Sequence, residues 1–263
     1  MNRFLLPVSV VGTVIGGTVL LKDYVAGGAC PSKATIPGRT VIVTGANTGI
    51  GKQTALELAK RGGNIILACR DREKCEAAAK DIRGETLNPR VRAEHLDLAS
   101  LKSIREFAGK IIKEEERVDI LVNNAAVMRC PHWTTKDGFE MQFGVNHLGT
   151  GVTVNALHPG VARTELGRHT GMHNSAFSGF MLGPFFWLLF KSPQLAAQPS
   201  TYLAVAEELE SVSGKYFDGL REKAPSPEAE DEEVARRLWT ESAHLVGLDM
   251  AHGSSGRGHS ISR

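Results

Sequence analysis

A glycine-rich turn near residue 45 is the first feature of the sequence that could do chemistry. Gly45, Gly49 and Gly51 have the spacing G-x-x-x-G-x-G and directly follow an apolar run at 40–44. Glycines let backbone N–H groups approach a pyrophosphate, and the N-terminus of a following helix favours its negative charge. A tight strand–helix turn also selects glycine for its conformation alone. We interpret the turn as a phosphate-binding loop. Its predicted binding residues are Gly45, Asn47, Thr48, Gly49, Ile50 and Gly51.

The end of the second apolar run could select the nucleotide. Arg70 stands at the end of the run 64–70, and Asp71 follows it. A carboxylate at this position would bind a free ribose 2′-hydroxyl, whereas a guanidinium suits a 2′-phosphate. The alternative is a surface arginine paired with a neighbouring acid. The sequence therefore favours NADP(H) over NAD(H) as the cofactor.

Alternating strands and helices must position these residues. Strands are predicted at 40–44, 64–70, 91–96 and 119–122, with helices at 50–61, 73–83 and 100–115 between them. We expect Gly84 to stop the second of these helices. This β-α-β-α order implies a parallel sheet with helices on both faces. The predicted fold class is therefore α/β, a Rossmann-like doubly wound parallel sheet.

The second half of the chain is less regular. We predict helices at 139–148, 202–210 and 234–246, and strands at 152–157 and 215–217. An apolar stretch covers 177–190, and a linker rich in proline and acidic residues covers 223–233. Residues 249–263 form a Gly/Ser/His tail that we expect to be disordered.

The N-terminus carries a long uncharged stretch. Residues 4–21 hold no charge and would reach roughly 27 Å as a helix, close to the hydrocarbon thickness of a bilayer. Proline and glycine within the stretch weaken it, and a cleaved signal peptide is the alternative. We favour an uncleaved membrane anchor, with residues 1–37 forming the anchor and its linker.

Composition excludes several classes of protein. Net charge is only +2, so the sequence gives no electrostatic case for binding nucleic acid. The four cysteines lack the spacing of a zinc site, and we expect reduced thiols rather than disulfides. Apolar content of 42% is ordinary for a globular chain of 263 residues, long enough for one large domain.

Two further motifs complete a family pattern. Asn-Asn-Ala-Ala at 123–126 follows the fourth strand, and Pro159-Gly160 follows a later one. With the glycine turn, they make residues 38–248 resemble a short-chain dehydrogenase/reductase of the retinol dehydrogenase group. The resemblance implies NADP(H)-dependent interconversion of retinol and retinal. It also implies that Asn146 is the structural Asn of the catalytic tetrad. The implied cofactor contacts are Asp97, Asn123, Ala125, Pro159, Gly160 and Thr164.

The pattern breaks between Thr150 and Gly151. The family has further residues there, which form a fifth strand with the catalytic Ser and a helix with Tyr-x-x-x-Lys. None of them is present in this chain, whose three tyrosines are followed four positions later by Gly28, Ala206 and Leu220. The sheet is therefore predicted to be incomplete. An internally deleted isoform and a gene-model error both explain the gap.

The missing segment leaves two structural questions. We hypothesise that residues 152–157 pair beside 119–122 and fill the vacant slot, since 29 residues allow a right-handed crossover. His147 and His158 are the nearest titratable candidates to replace the lost proton donor, although packing or capping is their expected role. Core packing is the expected role of Tyr202.

Three functional hypotheses follow. The first is the family activity on a retinoid at a membrane, by resemblance the mitochondrial inner membrane, with the endoplasmic reticulum second. The second is a non-catalytic product that binds NADP(H), or binds partners through its anchor. The third is an unstable product. The oligomeric state stays open, because in this family the missing helix often helps to build the dimer.

Overall fold

The computed structural model of the chain describes residues 5–147, 155–162, 164 and 188–248. The chain divides into two compact units, Met1–Lys223 and Ala224–Arg263. The 150/151 junction, most of the apolar stretch 177–190 and the tail 249–263 lie outside the described residues.

A four-stranded parallel sheet forms the centre of the first unit. Its strands run in the order β3-β2-β1-β4. They are β1 (Thr40–Thr44), β2 (Asn64–Cys69), β3 (Val91–His95) and β4 (Ile120–Val122). The register pairs Thr40 with Asn64 and Val41 with Ile120. All four predicted strands and their parallel pairing are confirmed.

Helices cover both faces of this sheet. They are α2 (Gly49–Lys60), α3 (Arg72–Thr86) and α4 (Leu101–Glu114). Val41, Val43, Ile65 and Leu67 pack with α2 and α3 in one hydrophobic cluster. The alternate strand residues, including Ile42 and Ile66, pack with α4 in a second cluster, as the two-residue period of a strand requires.

One predicted helix end is wrong. Helix α3 continues past Gly84 to Thr86, because Leu87 adopts the left-handed conformation at the C-cap, with φ of 56°. The Leu87 N–H donates to the Arg83 carbonyl at 2.9 Å and closes the last turn. A glycine alone therefore did not mark the end of this helix.

A second, three-stranded sheet contradicts the prediction that residues 152–157 pair beside β4. Strand β5 (Ala156–His158) pairs in parallel with β6 (Tyr216–Asp218), which pairs antiparallel with β7 (Arg221–Glu222). The Asn155 side chain ties β5 to the segment before β6, because it accepts from Lys215 N at 3.0 Å and donates to Val212 O at 2.7 Å. β5 therefore does not lie beside β4; residues 152–154 lie outside the described part.

Three further helices follow β4 along the described chain. They are α5 (Met141–Asn146), α6 (Pro193–Val205) and, in the second unit, α7 (Glu232–Val246). Helix α5 lies within the predicted 139–148. The helix predicted at 202–210 begins earlier, because Ser192 caps it and Pro193 suits its first turn. A separate 3₁₀ turn then spans Glu207–Leu209.

The N-terminal helix α1 (Leu5–Ala26) exposes apolar side chains. Val14, Ile15 and Leu20 are 62%, 59% and 71% exposed. Among the described residues, no helix is both long and apolar enough to cross a membrane. The membrane anchor therefore stays a prediction.

Two cysteines correct the expectation of reduced thiols. Cys69, at the end of β2, and Cys75, in α3, form a disulfide, with their Cα atoms 5.9 Å apart. The packing of α3 against β2 brings the two side chains together. Their separation of six positions in the sequence did not indicate a disulfide. Cys30 and Cys130 are free.

Candidate cofactor site

The candidate site lies at the carboxyl edge of the four-stranded sheet. The chain passes from β1 to β2 on one side, whereas β4 lies on the other, so the strand order reverses at β1. In open α/β sheets, ligands bind in the crevice at this point. Gly45, Arg70, Asp97 and Asn123 each follow a different strand, and the fold brings them to this one edge.

The glycine turn is tight and needs its glycines. Gly45 and Gly49 have φ of 63° and 59°, which other residues rarely adopt. A Cβ at Gly45 would lie 2.9 Å from the Ala125 Cα. A Cβ at Gly51 would overlap Asn124 Nδ2 and lie 2.8 Å from the Gly45 carbonyl oxygen. The segment after β4 therefore supports the turn from behind.

Hydrogen bonds hold this support in place. The buried Thr44 Oγ1 accepts from the backbone N–H groups of Asn124 and Ala125, both at 3.0 Å. Asn124 Nδ2 donates to the Thr44 carbonyl oxygen at 2.9 Å and to that of Gly45 at 3.4 Å. Asn124 belongs to the motif 123–126 of the family pattern, but its hydrogen bonds with Thr44 were not predicted. The available signal for Thr44 was a threonine at the carboxyl end of the strand, directly before Gly45.

Helix α2 presents an uncapped N-terminus to the crevice. Thr48, its N-cap, makes no side-chain capping hydrogen bond. By contrast, five other described helices are capped by side chains, those of Asp71, Ser100, Glu140, Ser192 and Asp231. The first-turn N–H groups of α2 thus keep their partial positive charge, which suits an anionic ligand. The Gly45 N–H is not available to a ligand, because it donates to the Ala68 carbonyl oxygen at 2.8 Å. Gly45 therefore contributes only to the conformation of the turn.

Arg70 and Asp97 occupy the neighbouring strand ends. Arg70 is exposed, whereas Asp97 is 6% exposed. Burial opposes ionisation of Asp97, but hydrogen bonds from Lys136 Nζ (2.8 Å) and Ala99 N (3.1 Å), with the charge of Arg70, hold its pKa below the usual value. Asp97 is therefore a carboxylate already engaged by this chain.

Asn146 holds the loop after β4. Its Oδ1 accepts from Val127 N and its Nδ2 donates to Val127 O, both at 2.9 Å. This pair of bonds ties the end of α5 to the segment that supports the glycine turn. The place of Asn146 in a catalytic tetrad stays a prediction.

The residues predicted to hold the nicotinamide end divide into two groups. Thr164 approaches the turn, since a Cβ built at Gly49 would lie 3.4 Å from its Cβ and Cγ2 atoms. Gly160, with φ of 85°, packs under the side chain of Lys191 instead. Pro159 lies between Gly160 and β5. Of the three, only Thr164 therefore lies against the glycine turn.

His147, His158 and Tyr202 each lie against a neighbouring side chain. His158 Nδ1 lies 3.6 Å from Asp218 Oδ1, and His147 stacks on Phe143. Burial, and then the hydrogen bond to Glu208 at 3.0 Å, raise the pKa of Tyr202. A tyrosine that exchanges protons at neutral pH needs its pKa shifted in the opposite direction.

Comparisons with known proteins now decide the family. The family described as short chain dehydrogenase matches residues 39–150. Retinol dehydrogenase 13 of Mus musculus is 74% identical over 334 positions, covering 100% of both chains. Retinol dehydrogenase 13 of Homo sapiens is 66% identical over 320 positions, covering 95% of this chain and 97% of its own. The chain belongs to the retinol dehydrogenase group of the short-chain dehydrogenases.

A solved structure supports the Rossmann-like fold of this chain. An uncharacterised protein from Mycobacterium paratuberculosis aligns with a TM-score of 0.60 and 26% identity, covering 84% of this chain and 98% of its own. The family implies a nicotinamide cofactor, and the glycine turn and uncapped helix fit such a group.

The alignment to the mouse retinol dehydrogenase is longer than this chain. It spans 334 positions, whereas the chain has 263 residues, so at least 334 − 263 = 71 positions have no counterpart here. The family match also stops at residue 150, where the sequence pattern breaks.

The first prediction concerns the packing behind the glycine turn. Gly51→Ala should displace Asn124, lower the free energy of unfolding by about 1–3 kcal/mol and abolish nucleotide binding. Urea denaturation and calorimetric titration with NADPH measure the two effects. Gly109→Ala is the matched control: its added Cβ meets nothing within 4 Å, so it should stabilise α4 by about 0.5–1 kcal/mol. Normal NADPH affinity in Gly51→Ala would contradict the proposed site.

The second prediction concerns the buried Asp97 carboxylate. Lys136→Gln should raise the pKa of Asp97 and lower the free energy of unfolding at pH 7 by about 1 kcal/mol. Because the folded-state pKa is depressed, this contribution is present above the unfolded value of about 3.9 and is lost as the pH falls through the folded value.

Urea denaturation at pH 7 and at about pH 3 tests this pH dependence. The difference between parent and Lys136→Gln should shrink at the lower pH. Lys102→Gln, which removes an exposed pair with Glu106 at 3.7 Å, should change little at either pH. An equal difference at both pH values would contradict the role given to Lys136.

Proposed function

We propose that this chain is an NADP(H)-binding member of the retinol dehydrogenase group with little or no turnover. The observation that carries the proposal is the glycine turn at the uncapped start of α2, packed against Asn124 and Ala125. That arrangement is a cradle for a dinucleotide phosphate, and it is built from residues that the chain retains.

Preference for NADP(H) rests on Arg70. Within the described part of the chain, its guanidinium makes no hydrogen bond and no ion pair, so it stays available to a ligand. The alternative of a surface arginine paired with an acid therefore loses its support, although its charge acts on Asp97. A free guanidinium at the end of β2 suits a 2′-phosphate.

The lineage suggests the substrate class. The mouse and human relatives are named retinol dehydrogenases, which suggests a retinoid as the lipophilic substrate of the ancestral site. When bound, the nicotinamide ring of the cofactor accepts or supplies a hydride in such reactions. The residues of this chain would bind and orient the nucleotide, and Asn146 would keep the loop after β4 in place.

Impaired turnover follows from the absent proton relay. No tyrosine of the sequence has a lysine four positions later. Loss of acid/base catalysis alone removes about 10²–10⁴-fold of rate, and loss of the serine that positions substrate removes more. The at least 71 alignment positions without a counterpart, and the family match that stops at residue 150, support a gap at the junction 150/151.

The second candidate function is the family activity itself. The 74% identity to the mouse retinol dehydrogenase favours it, because most of the retained positions are those of an active lineage. A single pair of measurements separates the two candidates: nucleotide binding and retinoid turnover on the same purified chain.

The third prediction states the outcome of that pair. NADPH at about 100 times its dissociation constant should stabilise the folded chain by about 2.7 kcal/mol in a thermal-shift assay, and all-trans-retinal should not be reduced above background. Arg70→Ala should weaken NADPH binding at least fivefold and leave NADH binding unchanged. Arg72→Ala, an exposed neighbour, is the control for general charge loss.

Each alternative gives a distinct result. Retinal reduction well above background would establish the family activity and refute impairment. A folded chain that NADPH does not stabilise would refute the binding function. A chain that never unfolds cooperatively would support the unstable-product hypothesis.

The fourth prediction concerns location. We propose that the segment 4–21 holds the chain at a membrane, at the mitochondrial inner membrane by resemblance and at the endoplasmic reticulum second. Exposed Val14 and Ile15 support this. The chain should stay in the membrane pellet after alkaline carbonate extraction, and Val14→Asp with Ile15→Asp should release it. Equal partition of both versions into the supernatant would refute the anchor.

A further inference from the structure

A disulfide brackets the residue that the proposed function assigns to the 2′-phosphate. Cys69 ends β2 and Cys75 lies in the first turn of α3, and they are bonded to each other. Between them stand Arg70 and Asp71, the N-cap of α3. The crosslink therefore joins the two ends of the short segment that presents the Arg70 guanidinium.

Both oxidation states fit this position. The two cysteines are 2% and 0% exposed and belong to the core beneath α3. Cys75 Sγ also lies 3.2 Å from the Leu67 carbonyl oxygen, so that a Cys75 thiol has an acceptor within reach. Reduction therefore leaves the buried Cys75 thiol with a hydrogen-bond partner.

The segment itself is open to solvent. Residues 70–74 are exposed, although both cysteines are buried. Few bonds fix its shape: Lys74 N donates to Asp71 Oδ1 at 3.1 Å, and Cys75 N donates to Asp71 O at 3.0 Å. Opening the first turn of α3 would admit a small thiol or disulfide to the pair without disturbing the sheet.

We propose that Cys69 and Cys75 form a reversible redox pair that controls the affinity of this site for the 2′-phosphate of NADP(H). The proposal rests on NADP(H) binding as proposed above. The oxidised pair holds the ends of the segment and restricts where the Arg70 guanidinium can go. The reduced pair lets the first turn of α3 fray, so that binding must first order it.

The redox step balances with a small disulfide such as glutathione disulfide. The Cys75 thiolate attacks one sulfur of the disulfide and releases one glutathione thiolate. Cys69 then attacks the Cys75 sulfur of the mixed disulfide and releases the second. The two protein thiols lose two electrons and two protons, and glutathione disulfide is reduced to two thiols.

Thermodynamic linkage gives the proposal a second readout. If oxidation strengthens NADPH binding by some factor, bound NADPH must favour the oxidised pair by the same factor. NADH lacks the 2′-phosphate and should do neither. The comparison of the two nucleotides therefore separates control at Arg70 from a general effect on the fold.

The fifth prediction is tested on the full chain, equilibrated with either glutathione disulfide or dithiothreitol. Calorimetric titration should show NADPH bound about fivefold more tightly by the oxidised chain, with NADH affinity the same in both. Thiol trapping and mass spectrometry should find the Cys69–Cys75 bond only in the oxidised sample, and NADPH should slow its reduction.

Variants sharpen the test. Cys75→Ala should bind NADPH like the reduced chain under either condition, and Cys69→Ser should do the same if Cys75→Ala fails to fold. Cys130→Ala changes a free cysteine elsewhere and should keep the difference between the two states.

Three outcomes would overturn the proposal. The first is equal NADPH affinity in samples whose trapped thiols show the bond formed and broken. The second is failure of the bond to form with glutathione disulfide. The third is absence of NADPH binding in both states, which would refute the proposed function as well. The first two results would refute the redox proposal and leave the proposed function intact.

Discussion

The contact between the glycine turn and the segment after β4 is the constraint on which the rest of the site depends. Thr44 Oγ1 accepts two N–H groups from that segment, and Asn124 donates back to the carbonyl oxygens of Thr44 and Gly45. This exchange leaves no room for a side chain at Gly51. Asn146 then fixes the same segment through Val127. These hydrogen bonds connect the glycine turn, the segment after β4 and helix α5 to one another.

The first half of the chain could be predicted because its determinants are local. Apolar strand runs, helix periodicity and caps such as Ser100 lie within a few residues of the elements they specify. Arg70 could be assigned to the end of the second strand from the sequence, whereas Asp97 and Asn123 were assigned through the family resemblance. By contrast, the partners of Asp97 and Asn146, which are Lys136 and Val127, are distant in sequence and could only come from tertiary packing.

In the second half of the chain, the pairing of one strand could not be predicted for a related reason. Residues 152–157 are apolar enough to enter either sheet, and pattern alone does not choose between them. The choice depends on Asn155, whose side chain bonds Val212 and Lys215 about sixty residues away. The Cys69–Cys75 bond is similar, because the packing of α3 on β2 decides it rather than cysteine spacing.

Hydrogen exchange followed by mass spectrometry tests the central claim most directly. The claim is that the cradle is complete although the proton relay is absent. NADPH should slow exchange at the backbone amides of residues 46–51, at the start of α2, and of residues 123–127, while β5 and β6 should be unaffected. Protection confined to other parts of the chain, or none at a saturating concentration of NADPH, would contradict the account.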